Sequence, residues 1–334
     1  MTLSVICGGF FGDEGKGKVL SYLALKDNPS IVVRAGVGTN AGHTIQFQGK
    51  EYKLRMVPSG FINPNTRLLI GAGVLVDPIV LFKEMKETNS ICGVDYQSGI
   101  IEEKHKKIDS SDAHLKGKIG TTGSGTGPAN QDRAMRILKV ARDIPELEPY
   151  LTDVSVEIND ALDEGKAVQA EGSQAIFLSL FHGSYPYVTS KDTSAAAICS
   201  DIGVGPKRVD DVIIVFKAYV TRVGTGELPG ELPLEELKKR GWVEYGAVTG
   251  RPRRAAPFNY DLAKKAVRLN GATQIALTKL DIIYPQISKA NSIDYVKGEV
   301  EEFIDSIEEA TKTKVSIIGT GPSAEDIIDL RKNI

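Results

Sequence analysis

Residues 8–18, GGFFGDEGKGK, follow a short apolar run, Leu3–Cys7, and lead into a helical pattern that continues to about Lys26. A strand, a glycine-dense turn and a helix in that order constrain the fold more than any other stretch of the chain. Amides at the start of such a helix point into the turn and favour an anion there. The turn is not a standard Walker A loop, G-x-x-x-x-G-K-[ST]. Gly9 lies one position too early for Gly15-Lys16, and Gly17 replaces the hydroxyl that would hold magnesium. The turn also carries Asp13 and Glu14. A nucleotide switch has no need of an acid at that point, whereas an enzyme that moves a proton does.

Further short apolar strands are expected at Ile31–Arg34, Leu68–Ile70, Ala167–Glu171, Asp211–Tyr219, Gln274–Thr278 and Lys314–Ile318. Helices are expected from Asp77-Pro78 onward and over Gln131–Asp143, Ser155–Glu164, Leu234–Arg240, Phe258–Asn270 and Glu299–Thr311. Asp77 and Asn259 have the chemistry of N-caps, Pro78 suits a first helical position, and Gly271 suits a helix end. Residues 95–119 are polar and weakly periodic, which predicts low order or a surface excursion. Strands alternating with helices predict an α/β fold, a mostly parallel sheet covered on both faces, with ligand loops at the carboxyl ends of its strands. The absence of an evident linker predicts a single domain over residues 1–334.

The formal charge of −2, with no basic block, argues against nucleic acid as a partner. No run approaches the roughly 18 apolar residues of a membrane span, and no signal-peptide core follows Met1, so a cytoplasmic location is expected. Three widely spaced cysteines and four scattered histidines suit neither a disulfide scaffold nor structural zinc.

Several other loops carry candidate chemistry. Lys16 can neutralise phosphate beside the amides of Gly12, Gly15 and Gly17, and Asp13 can ligate magnesium or act as a base. GVGTNAGHT (36–44) offers Asn40 as an amide contact and His43 as an acid or electrophile. IGTTGSGTGP (119–128) offers hydroxyls among glycines, suited to a phosphate monoester. Arg133 and Arg136 would share a helix face. Gln174, in a turn after Glu171, could hold a substrate oxygen. TGRPRR (249–254) could clamp a dicarboxylate through Arg251, Arg253 and Arg254. In TKLD (278–281), Asp281 could accept from the N1–H and 2-amino group of guanine while the Lys279 stem packs on the base. GTGP (319–322) gives another backbone-rich edge. Each loop taken alone also fits a plain surface turn. Together they exceed what one nucleotide requires and point to a synthetase.

With these residues in view, the chain resembles the adenylosuccinate synthetase family. GDEGKGK (12–18), NAGHT (40–44), GTTGSGTGP (120–128), YPYVTS (185–190), KAYVTRVG (217–224), TGR (249–251), TKLD (278–281) and TGP (320–322) match its motifs in order. The chain is most similar in length to compact archaeal members. Phe11, Ser124, Val248 and Pro252 depart from common members.

The resemblance implies a fold related to P-loop GTP-binding proteins and a ligase that makes adenylosuccinate from IMP and L-aspartate as GTP becomes GDP and phosphate, with magnesium. It implies Asp13 as the base at N1 of IMP, His43 as the acid on the GTP phosphate, and Gln174 at the 6-oxygen, through a 6-phosphoryl-IMP intermediate. Magnesium would be held by Asp13 and the Gly42 carbonyl. GTP would meet Gly12, Gly15, Lys16, Gly17, Gly42, Thr44, Lys279, Asp281, Gly319 and Gly321. IMP would meet Asp13, Lys16, Asn40, Thr122, Gln174, Thr189 and Arg253. Aspartate would meet Thr249 and Arg251. Arg136 would reach the neighbouring active site of a homodimer. The alternatives are a nucleotide-dependent ligase of another acceptor and a non-catalytic nucleotide-binding regulator.

Overall fold

The strand Leu3–Gly8 lies inside a ten-stranded sheet, in a computed structural model that describes residues 3–245 and 252–333. The sheet runs in the order Ile327–Asp329, Val315–Gly319, Gln274–Thr278, Asp211–Lys217, Leu3–Gly8, Val168–Glu171, Ile31–Arg34, Arg67–Ile70, Cys92–Asp95 and Leu151–Thr152. Every neighbouring pair is parallel except the first, where Ile327–Asp329 runs antiparallel to Val315–Gly319. The expected mostly parallel sheet is borne out.

Both faces of the sheet are covered, and the strands alternate between two cores. Leu3, Val5 and Cys7 pack on one face with Ile214 and Phe216. Ile6 packs on the other with Val19, Leu20, Leu23, Ile213 and Val215. This burial on both sides is why the central strands read as continuous apolar runs.

The chain moves outward from Leu3–Gly8 in one direction. It then returns to insert Val168–Glu171 beside that strand and builds outward in the other direction. A reversal of this kind opens a crevice at the carboxyl ends of the strands. Six adjacent strands end there on Gly319, Thr278, Lys217, Gly8, Glu171 and Arg34.

Local signals set several elements. Asp77 accepts from the amides of Ile79 and Val80, and Asn259 from that of Leu262, as the capping pattern predicted. The helix Tyr260–Asn270 ends at Gly271 with φ of 60°.

Other expectations need correction. The helix expected over Gln131–Asp143 is Thr126–Met135, and Arg136 is its left-handed C-cap, so Arg133 and Arg136 do not share a helix face. Arg133 instead donates to the carbonyls of Gln97 and Ala72. The run expected as one strand to Tyr219 breaks after Lys217, and Tyr219–Arg222 pairs antiparallel with Arg254–Pro257. Within the polar stretch 95–119 lie a helix, Glu103–Ser111, and a π-helical turn, His114–Ile119. His105 and Asp109 are the buried members of that helix, and the Asp109 carboxylate accepts from Thr121 Oγ1 and the Gly125 amide.

Gly9 illustrates a glycine that serves packing. A Cβ there would lie 2.2 Å from Cε1 of Phe216. That ring is fixed against Phe10 and Phe258, with centroids 4.7 and 5.9 Å away. Gly9→Ala is expected to cost about 1–3 kcal/mol through overpacking. Urea unfolding would register this as a lower midpoint, and an unchanged midpoint would mean the ring yields freely.

Candidate active site

A cavity of about 930 Å³ opens where those strands end. It is lined by Gly12, Asp13, Gly15, Lys16 and Gly17 from the first turn, and by Asn40, Gly42, His43 and Thr44 from the second glycine loop. Thr122, Gln174, Thr189, Arg253, Lys279 and Gly321 complete the set of predicted residues on its wall. Segments separated by more than 300 residues in sequence therefore face one space.

The first turn is held by an acid inside it. Glu14 is 1% exposed. Its carboxylate accepts from the amides of Phe10 (3.1 Å) and Gly12 (2.7 Å) and from Lys16 Nζ (2.8 Å). Those two amides are thus already occupied, and a phosphate would meet the start of the helix Lys16–Asp27 instead. Its first amides have no intrahelical acceptor. Gly15, the N-cap, has φ of 92°.

Asp13, Gln174 and Lys279 all carry φ of 60°, a region that non-glycine residues seldom occupy. Strain of this kind is retained where surrounding structure enforces it, often at ligand sites. The Asp13 carboxylate is 2.9 Å from Arg253 Nη2. Arg253 is also paired with Glu244, which accepts from Lys217 Nζ at 2.9 Å and from the Tyr219 hydroxyl. Burial works against ionisation of Glu244, but Lys217 and Arg253 hold its carboxyl at about 2. Glu244 was not legible in the sequence, because it stands outside the motifs, five positions before Thr249, and nothing local shows that it turns to Lys217 and Arg253.

His43 begins a hairpin, His43–Phe47 with Lys50–Leu54, that sequence reasoning missed. Alternating side chains around Gln48-Gly49 were its available signal. Nδ1 of His43 is hydrogen-bonded to Glu171, with Arg34 Nη1 at 2.8 Å. Glu171 also accepts from the Ser59 amide at 2.8 Å and from the Ser59 hydroxyl. Burial pushes His43 down to about 4; the Arg34 charge adds to this and Glu171 opposes it. The imidazole is therefore neutral at pH 7 in the open cavity. Glu171 was read only as a strand end, yet it fixes the ring.

Asn40 Nδ2 donates to Thr189 Oγ1 at 3.1 Å, which joins two residues assigned to one ligand. Thr122 shares a hydrogen bond with Ser124 at 2.6 Å. Asp281 and Gly319 lie outside the cavity lining. Asp281 is half-buried in the short helix Leu280–Ile283, and Gly319 ends its strand close to Lys18. Arg136 is exposed and lines no part of this cavity. Thr249 and Arg251, with Val248, lie outside the described residues.

Four predicted residues carry buried polar atoms with no hydrogen-bond partner: Asn40 Oδ1, Gln174 Oε1, Arg253 Nε and Asp281 Oδ1. Such atoms cost about 1–3 kcal/mol each unless something satisfies them. Asn40, Gln174 and Arg253 line the one cavity, where a polar ligand would complete them, and Asp281 lies outside its lining, two positions beyond Lys279 on its wall.

The family model for adenylosuccinate synthetase matches residues 5–144 and 136–288. Adenylosuccinate synthetases of Thermococcus sibiricus and Methanocaldococcus jannaschii are 52% and 53% identical over 339 aligned residues, covering all of this chain and 100% and 98% of theirs. The solved, fully ligated adenylosuccinate synthetase of Plasmodium falciparum superposes with a TM-score of 0.91 at 26% identity, covering 98% of this chain and 100% of that one. A cyanophage S-2L succinoaminodeoxyadenylate synthetase, bound to dGMP and dATP as an energy donor, gives 0.82 at 25% identity, over 98% of this chain and 95% of that one. Motif order, the strand ends that carry the motifs, and full-length similarity all lead to one assignment: this chain belongs to the adenylosuccinate synthetase family.

Proposed function

We propose that Asp13 removes the N1 proton of IMP as the 6-oxygen attacks the γ-phosphate of GTP, and that the amine of L-aspartate then displaces phosphate from C6 of 6-phosphoryl-IMP. The chain is a ligase of purine biosynthesis that forms adenylosuccinate from IMP and L-aspartate with GTP. The observation that carries the residue assignment is the set of partnerless polar atoms on Asn40, Gln174, Arg253 and Asp281. In this reading Gln174 steadies the 6-oxygen, while Asn40, Thr122 and Thr189 hold IMP. Lys16 meets phosphate after leaving Glu14, beside Gly12, Gly15, Gly17, Gly42 and Thr44. Arg253 turns from Asp13 to the IMP ribose region, and Thr249 and Arg251 take the aspartate carboxylates.

His43 starts neutral, with Nδ1–H directed at Glu171. It gains a proton when the phosphate charge arrives and then serves as the acid, since an adjacent anion favours its charged form. Phosphoryl transfer relies mainly on positioning and charge stabilisation, and the cavity supplies both.

Among the described residues no group of three or more His, Cys, Asp or Glu is placed to hold a metal. Magnesium bound through one carboxylate and substrate phosphates needs no such group. Asp13, with 27% of its side chain exposed, and the Gly42 carbonyl fit that donor set. When bound, the ion would neutralise charge on the phosphate oxygens.

The working form is a homodimer in which exposed Arg136 reaches the IMP phosphate of the partner. The chain acts as one domain around its single large sheet. Among the described residues no helix is long and apolar enough to cross a membrane.

The test is an ultraviolet assay for adenylosuccinate with IMP, L-aspartate and magnesium, run with GTP and with ATP. Product with GTP alone is expected. Product from another acceptor only would replace IMP in this scheme. In Asp281→Asn the preference for GTP over ATP is expected to fall by about tenfold or more, because a hydrogen-bonding reader of the base is lost. Unchanged preference would remove Asp281 from base recognition.

A further inference from the structure

Lys18 is a charged residue of the first turn's helix to which the mechanism gives no task. It is 8% exposed, and its Nζ donates to the carbonyls of Gly321 at 2.5 Å and Asp326 at 2.8 Å. The turn it grips is folded around Asp326. The Asp326 carbonyl also accepts from the Thr320 amide at 2.9 Å, and its carboxylate from the Ser323 amide at 2.8 Å. Gly319 leaves room for the ammonium, since a Cβ there would lie 3.2 Å from Lys18 Nζ. A second strut runs from Thr278 Oγ1 to the Glu14 carbonyl at 2.5 Å. The phosphate turn and the proposed base edge are thus bolted together in two places.

Both of these Lys18 hydrogen bonds go to neutral carbonyls, so its charge is left to act at longer range. Burial pushes the ammonium down to about 8, against the pull of Asp326 and Asp281. Reciprocally, burial pushes the Asp281 carboxyl upward, and Lys18 is the largest opposing charge, followed by Lys279. Asp281 Oδ1 is buried without a partner. A carboxylate that reads two N–H donors on a base edge must be ionised and must keep its oxygens free. A cation bonded directly to Asp281 would cap it. One bonded to nearby carbonyls supports the charge and leaves the oxygens open.

We infer that Lys18 is a specificity-determining positioning residue for the nucleoside end of the site: it locks the Gly321 edge to the phosphate turn and sets a charge opposite Asp281 for a purine base that presents two N–H donors. This rests on reading the cavity as a GTP site.

The experiment compares wild type, Lys18→Met, Lys18→Gln, Asp281→Asn and the Lys18→Met/Asp281→Asn double variant, with folding checked by circular dichroism. Adenylosuccinate formation is followed with GTP and with ATP, varying each substrate in turn. Lys18→Met is expected to raise KM for GTP about tenfold or more and to lower the GTP-to-ATP ratio of kcat/KM by a similar factor. KM for IMP and for L-aspartate should stay within about twofold, because the Lys18 hydrogen bonds go to the Gly321 and Asp326 carbonyls and to none of the residues read as holding those ligands. The loss in the double variant should be well short of the product of the single losses, since both residues serve one edge. An unchanged GTP-to-ATP ratio, an equal rise in all three KM values, or multiplicative losses would overturn the inference. Lys18→Gln keeps a donor without the charge and is read by the same criteria if Lys18→Met does not fold. Absence of GTP-dependent product in wild type would defeat the functional reading itself, whereas normal wild-type preference with an unaffected Lys18→Met would defeat only the inference.

Discussion

Asp13→Asn is expected to lower kcat by about 10²–10⁴-fold, the usual contribution of a positioned general base, while GTP still binds. Asparagine tolerates the left-handed backbone that Asp13 adopts at φ of 60°. The turn should therefore keep its shape, with Glu14 still gripping the Phe10 and Gly12 amides and Lys16. Arg253 retains an oxygen to bond at position 13 and keeps its ion pair with Glu244, losing only the Asp13 charge. Steady-state rates from the ultraviolet assay, paired with calorimetric GTP titration, separate the two effects. Full activity in the variant would refute Asp13 as the base. Loss of GTP binding together with turnover would place Asp13 in nucleotide binding.

Glu171→Gln should produce the largest stability loss of any single change at the site, about 3–5 kcal/mol, because it leaves a buried cation without its counter-charge. Glu171 and Arg34 are 0% and 1% exposed, with Nη1 of Arg34 3.5 Å from the carboxylate. Urea unfolding at pH 7 measures the loss, and a change below about 1 kcal/mol, the range of a surface pair, would show that Arg34 finds another partner.

The same cluster makes the protein acid-labile. His43 is held at about 4 against an ordinary 6.5, so the unfolded chain binds its proton first and stability falls as pH drops from 6.5 to 4. Burial of Glu171 opposes its ionisation, but His43 and Arg34 bring its carboxyl to about 2 from 4.5. Its contribution is complete above pH 4.5 and disappears as pH falls through 2. In Glu171→Gln the decline that begins near pH 6.5 should extend below the wild-type limit of about 4, because the carboxylate that supports the His43 charge is lost. An NMR titration in which His43 of the variant stays at about 4 would show that Glu171 gives no such support.

Elements with local causes were legible in the chain. Asp77 and Asn259 cap because their side chains reach amides two or three residues ahead. Gly271 ends a helix because a left-handed residue is needed there. The apolar strands were readable because burial on two faces leaves little room for polar residues. The hairpin that carries His43 had a readable turn at Gln48-Gly49 but was obscured by its many polar residues. The helix Glu103–Ser111 was missed because its mean character is polar and only His105 and Asp109 are buried.

By itself the sequence determined the strand–turn–helix start and the order of the glycine-rich loops, and it supplied the residue types proposed to meet phosphate, base and proton, because each rests on neighbours a few positions apart. Only the tertiary structure decided what those loops enclose. Glu244 reaches Arg253, Glu171 reaches His43, and Lys18 reaches Gly321 and Asp326 across 303 and 308 positions. Gly9 owes its place to the Phe216 ring, 207 residues away by number (216 − 9). Contacts of this kind depend on which strands lie side by side, and strand order is set by burial of the whole sheet, which no local pattern encodes.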